Sequence, residues 1–195
     1  MRIMCDWDLC VAPTDVGWWD WLAKIDGRKD PMPVKGKTTH YNLGEYFSWF
    51  KNQHGIDPQS YWDNPHLYDT MGSVEGSARV LNKWARFGNN LSVGSVTRGG
   101  HISSKFRHVK RTASDYSFEP GSGNGFFATK EKYLLPCDIA IDDRAENLLN
   151  FPDSVEKIYF NTVYDDTALM LLTLKPNVHI TTIETPWDDI ESILF

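Results

Sequence analysis

The sequence predicts an α/β fold: an open sheet flanked by helices, with a small helical cap inserted after the first strand. Three short apolar runs each end in acidic or hydroxyl residues, namely Arg2-Ile3-Met4-Cys5-Asp6-Trp7-Asp8, Leu91-Ser92-Val93-Gly94-Ser95 and Asp138-Ile139-Ala140-Ile141-Asp142-Asp143. In open α/β sheets ligands bind beyond the carboxyl ends of the strands, so three such ends can converge on one site. Between the first and second runs the chain turns polar and aromatic-rich, as expected of an insertion that needs a small core of its own.

In chain order, Arg2 to Cys5 reads as a short buried strand, followed by a loop through Pro13-Thr14. Residues 14–70 read as the cap, leaving 1–13 and 71–195 as the α/β core. Within the cap, helices are expected over Val16 to Lys24 and Leu43 to Gln53, the second with Asn42 as N-cap and Gly55 as stop. Pro31-Met32-Pro33 and Asp57-Pro58 mark connecting loops. Ser73 is placed to cap an amphipathic helix in which Val74, Ala78, Leu81 and Ala85 recur at helical spacing, joined by Val80, Trp84 and Phe87. That helix leads into the second strand. Gly99-Gly100 and Gly121-Ser122-Gly123-Asn124-Gly125 read as flexible loops, and neither is followed by the Lys-Ser/Thr of a P-loop. Near the end, Val178 to Ile183 is strand-like and precedes Pro186-Trp187-Asp188-Asp189-Ile190.

Composition narrows the function classes. A chain of 195 residues with 41% hydrophobic content has enough material for one domain with an insertion. Its net charge of −6 argues against a nucleic-acid coat protein, which relies on excess Lys and Arg, while leaving room for a small phosphorylated substrate. Cys5, Cys10 and Cys137 form no Cys-x-x-Cys and are odd in number, so reduced thiols in a cytoplasmic protein are the simple account. The start Met1-Arg2-Ile3-Met4-Cys5-Asp6 reaches a carboxylate too soon for a signal peptide, and no apolar run approaches the length of a membrane span. A homodimer is an open reading of the assembly state.

The carboxylates carry the chemistry. Asp6 and Asp8 stand two apart beyond a strand, and Asp142-Asp143 forms a second acidic pair after another apolar strand. Hard oxygen ligands of this kind suit Mg²⁺ with retained waters. A carboxylate can attack a phosphoryl group once the charge on both partners is offset, and a second carboxyl beside it can move protons. A single Asp pair is as well explained by caps and turns; two pairs at strand ends are not.

On these residues the chain resembles the haloacid dehalogenase superfamily of phosphatases, and within it the 5′(3′)-deoxyribonucleotidase branch. The superfamily pattern of Asp-x-Asp, then Ser or Thr, then Lys on the next helix, then an acidic pair falls on Asp6-Trp7-Asp8, Ser95, Lys105 and Asp142-Asp143-Arg144. The branch likeness rests on Thr129-Lys130-Glu131-Lys132 through Cys137 to Arg144, and on the tail from Val178 to Ile190. Where the family usually has Gly after the second Asp, this chain has Leu9-Cys10-Val11, and a residue with a Cβ pays more for unusual backbone angles.

The resemblance implies a Rossmann-like parallel sheet, with Asp6 as nucleophile, Asp8 as general acid and base, Ser95 donating to a phosphoryl oxygen, and Lys105 holding Asp6 ionised, with Lys110 second for that role. Thr97 is the alternative to Ser95. The implied cofactor is Mg²⁺, on the Asp6 carboxylate, the Asp8 backbone carbonyl, Asp143 and Asp142. The implied substrate is a nucleoside monophosphate such as dTMP or dUMP. A sugar phosphate, a polynucleotide 3′-phosphate read by a basic groove around Arg107 and Arg111, or a non-catalytic binder of nucleotide or partner are the alternatives. Among the cap rings, Trp18 and Phe47 are the choices for stacking on a base, although most such rings are expected to pack against one another. Thr97, Arg98 and Lys130 complete the expected substrate contacts. The other cations between Arg98 and Arg111 read as a solvated helix face.

Overall fold

The structure is a computed structural model and describes residues 1–29, 47, 49–162 and 166–195. Six strands form one sheet: β1 (Arg2–Cys5), β2 (Asn90–Ser95), β3 (Gly125–Ala128), β4 (Ile139–Asp142), β5 (Glu156–Tyr159) and β6 (Val178–Ile180). They lie in the order β3-β2-β1-β4-β5-β6, and each neighbouring pair is parallel. The central strands are buried on both faces, which is why Ile3-Met4-Cys5 and Ile139-Ala140-Ile141 are unbroken apolar runs rather than alternating ones.

The strand order reverses between β1 and β4, and there the register matters most. Cys5 pairs with Val93 on one side and Ile141 on the other, and the Asp6 amide donates to the Ile141 carbonyl at 2.9 Å. The next residue on each strand is therefore Asp6 and Asp142, level with each other where the sheet opens.

Helices α1 (Thr14–Ile25), α2 (Trp49–His54), α3 (Ser77–Arg86), α4 (Ile102–Thr112), α5 (Ala145–Leu149), α6 (Leu169–Leu172) and α7 (Pro186–Leu194) surround the sheet, with a 3₁₀ turn over Pro58–Asp63. The first predicted cap helix is present and slightly longer than expected. Of the second, the described part is α2, which ends at Gly55 with φ 69°; Asn42 and Pro31-Met32-Pro33 lie outside the described residues. Rings from the 14–70 segment, including Trp18, Trp19, Phe50 and Tyr61, join the same apolar cluster as Ile3, Leu91 and Ile141. The 14–70 segment and the sheet thus share a continuous core.

Three local expectations change. The helix expected from Ser73 begins at Ser77, because Gly76 takes φ 80° and breaks the run; the Val74 amide instead donates to Val11 O at 2.8 Å. Part of the Gly-rich stretch expected to be loop is strand β3, and β5 is a further strand whose Glu156-Lys157-Ile158-Tyr159 lacks the apolar run that marks β1 and β4. The cations of α4 are not simply solvated. Arg107 grips Asp69, with a closest approach of 2.7 Å, and Arg111 donates to the carbonyls of Tyr68 at 3.1 Å and Met71 at 3.0 Å, fastening residues 68–71 to α4. Among the described residues, no helix is long and apolar enough to cross a membrane.

Candidate active site

Asp6, Asp142 and Asp143 are buried, and one carboxylate oxygen from each lies within 4.8 Å of the others. The Lys132 ammonium sits between two of them, 2.6 Å from Asp6 Oδ2 and 2.7 Å from Asp142 Oδ2. The remaining oxygens are also held. Asp6 Oδ1 accepts the Trp7 amide at 2.7 Å, while Asp142 Oδ1 accepts the Arg144 amide at 2.9 Å and Asn147 Nδ2 at 2.8 Å.

Burial raises the Asp6 carboxyl above its ordinary value; Lys132 pulls it back down, and Asp142 and Asp8 push it up again. Burial likewise works against the charge on Lys132, but Asp142, Asp6 and Asp143 outweigh it and hold the ammonium firmly protonated. Three carboxylates in a poorly hydrated place call for compensating positive charge, and Lys132 supplies one unit of it. A cluster of hard oxygen donors with this surplus of negative charge fits a small divalent cation.

A second group stands beside the first. Asp8 Oδ2 accepts from Lys105 Nζ at 2.6 Å and Asp8 Oδ1 from the Tyr68 hydroxyl at 2.7 Å. Lys105 also donates to Ser95 Oγ and to Val96 O, both at 3.1 Å. An ammonium can only donate, so Ser95 accepts from it and keeps its own proton for a further acceptor. Asp6, Asp8, Ser95, Lys105, Asp142 and Asp143 are thus brought to one end of the sheet. The expected contact between Lys105 and Asp6 is corrected: Lys105 lies against Asp8, and Lys132 lies against Asp6.

The turn that carries Asp8 is strained. Leu9 adopts φ 64°, the left-handed region where a side chain is costly, and it is held by its amide on Ala12 O at 2.9 Å. This is the position where the family resemblance has glycine.

The expected substrate contacts fare differently. Trp18 is fully buried, donating from its indole to Pro58 O at 2.7 Å, with the Phe47 and Trp62 rings each 5.3 Å away. Phe47 is 4% exposed. Both are packing residues here, with no open face for a base. Arg98 is exposed and paired with Asp63, and Thr97 is half-buried in the loop after β2. Lys130 is exposed, because the 3₁₀ turn Lys132–Leu134 carries the second lysine of the pair inward instead. Lys132 and Tyr68 were missed. Lys132 could have been weighed from its place in the Thr129–Lys132 stretch, but Tyr68 has no local signal: it meets Asp8 across 60 positions.

No protein-family model and no curated protein matches the sequence. Solved structures do. A Thermotoga maritima protein provisionally assigned as a β-phosphoglucomutase aligns with a TM-score of 0.59 at 9% identity, covering 98% of this chain and 99% of that one. A provisionally assigned phosphatase from Clostridium difficile gives 0.56 at 13% identity, covering 100% and 98%. A Deinococcus radiodurans HAD family hydrolase with bound phosphate and sodium gives 0.54 at 16% identity, covering 99% and 94%. At these identities the likeness carries the fold and not the deoxyribonucleotidase branch. The chain shares the Rossmann-type α/β fold of these structures, a six-stranded parallel sheet flanked by helices.

Proposed function

We propose that the chain is a metal-dependent phosphomonoesterase that works through an aspartyl-phosphate on Asp6. The observation that carries this reading is Lys132 bridging Asp6 and Asp142 beside Asp143, at the point where the strand order reverses. Asp6, Asp142, Asp143 and the Asp8 backbone carbonyl would hold Mg²⁺, which when bound would offset charge on the phosphoryl oxygens. Asp6 attacks phosphorus in line with the departing oxygen. Lys132 keeps Asp6 ionised and takes the role first expected of Lys105. Asp8 gives its proton to the leaving oxygen as the P–O bond breaks, then takes one from the water that hydrolyses the aspartyl-phosphate. Ser95 donates to a non-bridging oxygen, since stabilising those oxygens carries much of such catalysis.

For the substrate we read a nucleoside monophosphate, in particular a deoxyribonucleotide, from the resemblance of the Thr129 to Arg144 stretch. A second reading, a sugar phosphate, is favoured by the burial of Trp18 and Phe47, which removes the two rings chosen for a base. A polynucleotide end is less well supported, because Arg107 and Arg111 are engaged with Asp69 and with backbone carbonyls. Three free thiols, two of them buried, fit a cytoplasmic setting. Phosphate release over a panel of nucleotides and sugar phosphates with Mg²⁺ tests the reading. Turnover lost in EDTA and in Asp6→Asn is expected; activity that survives both would overturn it.

A further inference from the structure

We infer that Tyr68 and Lys105 are positioning residues for Asp8, so that the end of the 14–70 segment completes the acid/base group of the site. The inference rests on Asp8 having that role. Each Asp8 oxygen has its own partner, Tyr68 at 2.7 Å and Lys105 at 2.6 Å, so rotation of the carboxyl about either side-chain bond breaks a contact. Tyr68 and Lys105 are fully buried, whereas the Asp8 side chain is 29% exposed, so an enclosed clamp presents an accessible carboxyl.

The clamp is itself fixed. Tyr68 meets the rings of His101 and His108 edge-on, at 5.3 and 6.1 Å, and the Lys105 ammonium lies 4.9 Å from its ring centre. Arg111 holds the Tyr68 carbonyl and Arg107 the neighbouring Asp69. On the other side, Trp7, between the two aspartates, donates to His108 Nδ1 at 3.0 Å, and His108 Nε2 donates to Gly72 O at 2.7 Å. The Asp6–Asp8 loop and residues 68–72 are therefore joined through α4 at two places, Lys105 and His108. Lys105, a donor only, keeps Oδ2 as an acceptor. The Tyr68 hydroxyl, donating to Oδ1, fixes the other oxygen.

Tyr68→Phe deletes only that hydroxyl and is the direct test, with Lys105→Gln as the second variant should the first not fold. The measurement is the pre-steady-state rate of leaving-group release, with Mg²⁺, from p-nitrophenyl phosphate and from an alkyl phosphate such as glycerol phosphate. An alkoxide needs a proton to leave and p-nitrophenolate does not, so loss of a positioned acid falls on the alkyl ester. Tyr68→Phe is expected to slow the alkyl ester about tenfold or more and the aryl ester less than threefold, with KM within about twofold, the scale on which small misplacements act. Equal losses on both esters, an effect on KM alone, or no loss in either variant would overturn the inference and leave Asp8 held by packing alone. Wild-type protein inert toward every ester, or an active Asp6→Asn, would instead remove the phosphatase reading beneath it.

Discussion

Lys132 Nζ lies 2.6 Å from Asp6 Oδ2, and the two stand 126 positions apart in the chain. Their contact exists because β1 and β4 are neighbours and the turn after β3 returns the chain over the gap between them. Lys132→Met removes the cation from a buried acidic cluster. It is expected to lower stability by about 3 kcal/mol in EDTA and by clearly less in millimolar Mg²⁺, measured by urea denaturation in the two buffers. Equal losses in both buffers would mean that no divalent ion binds there.

Asp6→Asn and Asp143→Asn should separate chemistry from metal binding. The first is nearly isosteric but cannot form the acyl-phosphate, so turnover should vanish while the circular dichroism spectrum is kept. The second weakens the ligand set, so part of its rate should return as Mg²⁺ is raised. Rates that stay flat across the metal titration would place Asp143 outside the ligand set.

Leu9 tests the strained turn. At φ 64° a β-branched side chain is worse than leucine, and glycine is free of the penalty. Leu9→Ile should lose about 1–2 kcal/mol, whereas Leu9→Gly should be near neutral because relief of strain offsets lost burial and chain entropy. The thermal midpoints of the two variants should fall in that order; a glycine variant weaker than the isoleucine one would mean that the side chain, not the backbone, matters.

Trp18 tests the division between packing and recognition in the cap. Since its ring is fully buried, Trp18→Leu should cost about 3 kcal/mol and reduce turnover of a nucleoside monophosphate and of p-nitrophenyl phosphate alike. A KM rise confined to the nucleotide would restore the stacking role.

The interior histidines set an acid limit. Burial lowers the affinity of His108 and His101 for a proton, and His108 is fixed in its neutral form between the Trp7 indole and Gly72 O. Both therefore remain neutral in the folded chain at pH values where the unfolded chain, titrating near 6.5, binds protons. Their contribution to stability is present above about pH 6.5 and is lost as pH falls below it toward their folded values. Unfolding free energies measured from pH 7.5 to 5 should decline through this window, with the decline reduced in His108→Gln.

The residues that end β1 and β4 were legible in the sequence, because a strand buried on both faces is written as an unbroken apolar run and the polar residue closing it is conspicuous. So were helix α1 and the stop at Gly55, which depend on neighbours within a turn or two. The tertiary structure alone decided which cation meets which carboxylate. Lys105, Lys130 and Lys132 are chemically alike in sequence, and only the α4 face and the turn after β3 send the first to Asp8, the third to Asp6 and leave the second in solvent. The same holds for Tyr68 and for the burial of Trp18. Side-chain chemistry is a local property that one position can announce, whereas contact across 60 or 126 positions depends on how the whole sheet closes, and no local pattern contains it.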